Sequence, residues 1–91
     1  MRVTVEMSLY PLGPQPIEKI LAFIDTIRGD GRLEVVVNQL STQARGELRD
    51  VMAVLTVAIE RSFGAAGAQA LVLKILNADL PIAEPPVLAK S

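Results

Sequence analysis

Over the first ten residues polar and apolar side chains alternate: Val3, Val5, Met7 and Leu9 fall to one side, and Thr4, Glu6, Ser8 and Tyr10 to the other. That period of two predicts a strand with one buried face. From Pro16 the period changes. Ile17, Ile20, Leu21, Ile24 and Ile27 recur at the spacing of one helical face, with Glu18, Lys19 and Asp25 outside it. Pro16 suits a first helical turn, and Gly29-Asp30-Gly31 stops the helix. The short β-branched run RLEVVV predicts a second strand, and after the polar Asn38-Gln39 pair LSTQARGEL offers a third. The helical period resumes at Glu47 with Leu48, Val51, Met52, Leu55, Ala58, Ile59 and Ser62 facing inward. It ends at GAAG, and AQALVLKIL then reads as a fourth strand. Leu71, Leu73 and Ile75 occupy one side of that strand; Ala70, Val72 and Leu76 occupy the other, interrupted only by Lys74.

The resulting order, β-α-β-β-α-β, is the split βαβ arrangement of ferredoxin-like α+β domains. Right-handed crossovers then set an antiparallel sheet in the order 4-1-3-2 with both helices on one face, a two-layer sandwich. One domain over residues 1–80 is expected, followed by a proline-rich tail over residues 81–91 without periodicity, a loose or strapping extension. This topology brings the end of the first strand (Ser8, Tyr10), the end of the second (Asn38), the start of the third (Ser41, Thr42) and the start of the fourth (Gln69) to one rim. The first helix begins there too, after the loop SLYPLGPQP.

Composition narrows what that rim can do. The chain has 91 residues, neither cysteine nor histidine, 9 basic against 10 acidic residues and a formal net charge of −1. Disulfides, thiolate or imidazole metal sites and Ser/His or Cys/His dyads are thereby excluded. The scattered acidic residues suggest no metal site, and the near-neutral charge gives no field for nucleic acid. The strand-like N-terminus and the absence of a long apolar run imply no secretory signal and no membrane insertion, so a cytoplasmic location is expected. A chain this short buries a thin core. Val36, Ala70, Val72 and Leu76 make the sheet face opposite the helices apolar, so a homodimer or tetramer is expected.

Three pieces, EMSLYPLG, then VNQLSTQARGELRDVMAVL about thirty residues later, then LVLKILNADLP, resemble in order and spacing the YkoF-like thiamine-binding family. The resemblance spans Val3 to Pro81. It implies a ferredoxin-like protein that binds thiamine or its hydroxymethylpyrimidine part, without catalysis and without a cofactor, in transport, salvage or sensing. A thiamine transporter is among the partners it implies. The best-known architecture of that family carries two such domains in tandem, so a single-domain chain is expected to pair with itself.

The residues are compatible with that ligand. A 4-aminopyrimidine presents an amine donor and ring-nitrogen acceptors, so it asks for hydroxyl, carbonyl and amide groups in an apolar slot. Ser8, Asn38, Ser41 and Thr42 offer these, Tyr10 can cover a ring face, and Glu6 or the Tyr10 ring can favour the thiazolium cation. Each also has a purely structural reading: Ser41 and Thr42 as hairpin hydroxyls, Asn38 as a turn residue, Tyr10 as an edge aromatic. Phe23 and Phe63 read as packing residues. Lys74 and Arg45 are placed to pair with Glu6 across the sheet or across an interface, in a structural role. The alternatives are a dimeric ferredoxin-like enzyme, a cofactor-independent oxygenase or isomerase working through Glu6, Glu34, Glu47 or Lys74, or a purely structural oligomer. An RNA-binding module of the same topology fails because the third strand carries Ser41, Gln43 and Arg45 where base-stacking aromatics belong.

Overall fold

A computed structural model describes residues 1–88. Six elements follow in order: β1 (Arg2–Pro11), α1 (Pro16–Asp30), β2 (Glu34–Val37), β3 (Thr42–Glu47), α2 (Leu48–Phe63) and β4 (Gln69–Leu76). The sheet is antiparallel in the order β2-β3-β1-β4. This is the ferredoxin-like α+β fold that the pattern predicts. Val3, Val5, Met7 and Leu9 of β1 point to the helices and are all buried. They pack with Ala44 of β3, Phe23 and Ile27 of α1, and Val51, Val54, Leu55 and Ala58 of α2. Each large side chain taken out of water in this way contributes about 1.5–3 kcal/mol.

The helix faces are rotated from those the periodicity suggests. In α1 the residues turned into the core are Phe23 and Ile27, while Ile17 and Leu21 are exposed. The stripes 17-21-24 and 20-23-27 both have helical spacing, and only the position of the sheet beneath them decides between the two. In α2, Val54 is buried and Met52 is exposed for the same reason. Phe63 is half exposed, so of the two phenylalanines only Phe23 is a core residue.

The β1–α1 loop has a definite shape. The Leu12 amide donates to the Ala68 carbonyl (2.8 Å), continuing the β1/β4 pairing beyond the strand ends. Gly13 then passes so close to Gly67 that a Cβ on it would lie 3.3 Å from the Gly67 Cα. Gln15 takes a left-handed conformation (φ 57°) to turn the chain into Pro16, at the start of the helix. Gly46 also answers to packing. A Cβ there would sit 2.8 Å from Leu33 Cδ2, so the crowding it relieves comes from the approach to β2 and not from α2.

The segment after β4 folds back as a strap across the sheet face that the helices leave open. Thr4 Oγ1 donates to the Ala78 carbonyl (2.7 Å) and accepts from the Leu80 amide (2.9 Å). Arg45 Nη1 donates to the Leu80 carbonyl (2.7 Å), and Arg2 Nε pairs with Asp79 (2.9 Å). Thr4 belongs by alternation to the outer face, yet it is buried because the strap lies over it. No helix among the described residues is long and apolar enough to cross a membrane.

Candidate ligand-binding cleft

Strand order places the end of β1, the β2–β3 turn and the first half of α1 around a cleft of about 250 Å³. Its wall is apolar: Met7 and Leu9 from β1, and Ile20, Phe23 and Ile24 from α1. Its rim is polar. Ser8, Tyr10, Asn38, Ser41 and Thr42 all line it, so the convergence expected from topology brings five of the six candidate residues together. Gln69 is not among the lining residues. It is tied instead to α2, where Ser62 Oγ donates to its Oε1 (2.6 Å).

The five differ in what they have left to offer. Asn38 Oδ1 accepts from the Leu40 and Ser41 amides (both 3.0 Å), which closes a turn whose residues keep negative φ. Its carbonyl oxygen is thus engaged, and the Nδ2 group remains as a donor. Ser8 Oγ reaches the Leu40 carbonyl at 3.4 Å, a long contact that a better partner would displace. Tyr10, on the same side of β1 as Glu6 and Ser8 by alternation, is half exposed at the end of the strand, beside the cleft.

Ser41 and Thr42, adjacent in sequence, lie on opposite faces of the sheet, because successive strand side chains alternate. Ser41 belongs to the open face, where its Oγ donates to Glu6 Oε2 (3.1 Å). Thr42 points toward the helices and is 5% exposed, and its hydroxyl enters no side-chain hydrogen bond among the described residues. No buried side-chain oxygen or nitrogen among the described residues lacks a hydrogen-bond partner, so Thr42 is not an orphaned group but a hydroxyl on the cleft lining that a ligand can meet.

Glu6 is one row removed from the cleft. Lys74 holds it at 3.2 Å and Ser41 at 3.1 Å, and these contacts, Lys74 foremost, lower its carboxyl pKa below the ordinary carboxylate value. Of the two cations expected to reach it, Lys74 does so. Arg45 pairs with Glu34 instead, which raises the guanidinium pKa. Glu6 is therefore a carboxylate already neutralised by a partner.

The contacts that sequence reasoning missed are the apolar ones. Phe23, Ile20 and Ile24 line the cleft as well as bordering the core, and Leu40 at the hairpin tip is 90% exposed beside it. The α1 periodicity already marked Ile20 and Ile24 as inward. What it lacked was their distance from the β2–β3 turn. Tyr10 is the one titratable side chain on the lining, and no cluster of acidic side chains suited to a metal ion occurs among the described residues.

No protein-family profile matches the chain, and no curated protein is detectably similar to it. Solved structures are. Protein SP2199 of Streptococcus pneumoniae superposes with a TM-score of 0.76 at 24% identity, covering 91% of this chain and 92% of that one. A Thermotoga maritima protein assigned provisionally to thiamine biosynthesis or salvage gives 0.74 at 21%, covering 96% and 91%. A domain of unknown function from Bacillus cereus gives 0.74 at 20%, covering 87% and 78%. At these identities the likeness is one of fold.

Proposed function

We propose that this protein binds thiamine or its hydroxymethylpyrimidine moiety without transforming it. The observation that carries this reading is the apolar cleft bordered by polar groups, with Thr42, whose hydroxyl no side chain engages among the described residues, on its lining. The cleft falls below the ~300–1,000 Å³ usual for drug-sized ligands. It therefore suits one ring, with the rest of the molecule outside.

In this arrangement the pyrimidine slides between the α1 wall and the β1 end, with Phe23 and the isoleucines against its faces. The 4-amino group donates to Thr42 Oγ1, and the Nδ2 group of Asn38 donates to a ring nitrogen. The thiazolium stays at the mouth, where the half-exposed Tyr10 ring offers a cation–π surface. Ser8 and Ser41 complete the polar rim. Glu6, engaged by Lys74, acts at a distance by holding Ser41 in place.

The provisional assignment of the Thermotoga maritima protein of this fold supports the ligand class. The lining supports binding over turnover: it carries no carboxylate, amine or guanidinium to serve as acid, base or nucleophile. A role in transport, salvage or sensing, with a thiamine transporter as one partner, follows from such a ligand. Nitrogen-15 NMR tests the location. Thiamine is expected to shift the amides of Tyr10, Phe23, Asn38 and Thr42 together, and shifts confined to the open sheet face would refute this cleft.

A further inference from the structure

Among the described residues the half-buried charged side chains are, with one exception, paired. Glu6 pairs with Lys74, Glu34 with Arg45, and Asp50 with Arg32. Lys19, in the first turns of α1, is the exception. It enters no ion pair among the described residues, and its Nζ donates to one acceptor, the Ala66 carbonyl. A partly desolvated ammonium with a single neutral acceptor lacks the counter-charge that such groups usually have. Its surroundings are shaped to hold it. Beside it the β1–α1 and α2–β4 loops cross at Gly13 and Gly67, where a Cβ would lie 3.7 Å and 3.4 Å from the Lys19 Nζ respectively.

The ammonium borders a cavity of about 180 Å³ between the start of α1 and the end of α2. Ala22 and Ala58 are small enough to leave this space, and the buried Phe23 lies at its base. Arg61 borders it from α2, exposed and without an ion pair or hydrogen bond among the described residues, so its five N–H donors are available. The helix dipole accounts for one cation at the end of α2. It does not account for a second one on α1 across the same cavity. No carboxylate lines the space. Asp25 and Asp30 border the next depression along the helix pair, which Arg61 shares, and neither pairs with it. The hydroxyls of Thr26 and Ser62, also on the lining, already donate to the Ala22 carbonyl and to Gln69 Oε1. Recognition is thereby left to the two cations.

We propose that this cavity binds the phosphoryl group of a small molecule, held between Lys19 and Arg61. Two cations with no neutralising carboxylate attract a dianion more strongly than a singly charged acid. The guanidinium fork can take two phosphoryl oxygens at once, and the ammonium keeps two protons for a third. An organic substituent on the phosphate would rest on the apolar base. Phe23 is the one residue this cavity shares with the cleft at the end of β1, so the inference does not rest on the ligand proposed there.

Nitrogen-15 NMR titration at fixed ionic strength tests the site, with inorganic phosphate and phenyl phosphate as probes and acetate as the control. Both phosphates are expected to shift the amides of Ala22, Ala58 and Arg61 at millimolar concentration, while those of Asn38 and Thr42 stay in place. Acetate, with a single charge, should bind at least about tenfold more weakly. Arg61→Gln, at an exposed side chain, should weaken phosphate binding at least about tenfold. Lys19→Gln, which keeps a donor for the Ala66 carbonyl while removing the charge, should do the same. Arg49→Gln makes the same charge change at an exposed position of α2 outside the cavity and should leave the affinity unaltered. Tighter binding of phenyl phosphate would identify an organic ester as the ligand and equal binding would identify free phosphate; either supports the site. Absence of shifts at these amides would overturn the proposal. So would acetate binding as tightly as phosphate, or a loss in Arg49→Gln equal to that in Arg61→Gln, since the latter marks attraction to the surface at large.

Discussion

Replacing Thr4 by valine removes one oxygen and almost no volume, and the structure says what that oxygen does. It donates to the Ala78 carbonyl at 2.7 Å and accepts from the Leu80 amide at 2.9 Å, both at a buried residue. Each such bond contributes about 0.5–1.5 kcal/mol net. The strap is itself partly exposed, so water can reach the freed groups, and the total loss falls at about 1–2 kcal/mol. For a domain of this size each kcal/mol lowers Tm by roughly 4–8 °C, so Thr4→Val is expected to melt about 5–15 °C below the wild type. Thr4→Ser keeps the hydroxyl and should recover most of the difference. Calorimetry gives the Tm, and amide exchange at Leu80 reports the strap itself, which should open in Thr4→Val while the β1 amides stay protected. A Thr4→Val protein melting within about 1 °C of the wild type would show that the strap is not held by these bonds and that the burial of Thr4 has another cause.

The remaining expectations concern the site. Thr42→Val should weaken thiamine binding by roughly tenfold to a hundredfold, the cost of an unmet buried contact of about 1–3 kcal/mol. Oxythiamine, with a carbonyl-type oxygen in place of the amine, should suffer a similar loss on the wild type and little further loss on the variant; competition titration checks both. Pyrithiamine keeps the aminopyrimidine and should bind within several fold of thiamine in the same assay. Because Lys74 holds the Glu6 carboxyl below its ordinary pKa, this pair stabilises the fold above the ordinary carboxylate value. That contribution is lost as pH falls through the depressed one. Lys74→Met should move the Glu6 titration upward in carboxyl carbon-13 NMR, and an unchanged midpoint would contradict the assigned pairing. Thiamine incubated with the protein should be recovered intact by mass analysis, and stoichiometric cleavage products would show an activity that the lining does not explain.

The fold was legible in the sequence because two periods alternate cleanly along it: two in Val3–Leu9, near 3.6 from Pro16 and again from Glu47. The rim was legible because strand order alone brings Ser8, Tyr10, Asn38 and Thr42 to one end. Which face each residue serves was less so. Ser41 and Thr42 read as one recognition pair, although strand alternation, already visible in the sequence, sends them to opposite sides of the sheet. The choice between Ile17 or Leu21 and Phe23 on α1 depends on where the helix axis crosses the sheet, and no local pattern encodes that. A strapping tail was one of the two readings of the proline-rich end, but its docking over Thr4 was hidden for a related reason. Residues 77–84 have no period, and their docking depends on the spacing of Thr4, Arg45 and Arg2 across the neighbouring strands β1 and β3.

Calorimetric titration with the separate halves of the ligand tests the central claim most directly. If the cleft reads the pyrimidine through Thr42, hydroxymethylpyrimidine and thiamine should each bind at one site per chain with comparable enthalpy, and the isolated thiazole alcohol should give no heat of binding. Binding of the thiazole half alone, or no heat with either pyrimidine compound, would contradict the account.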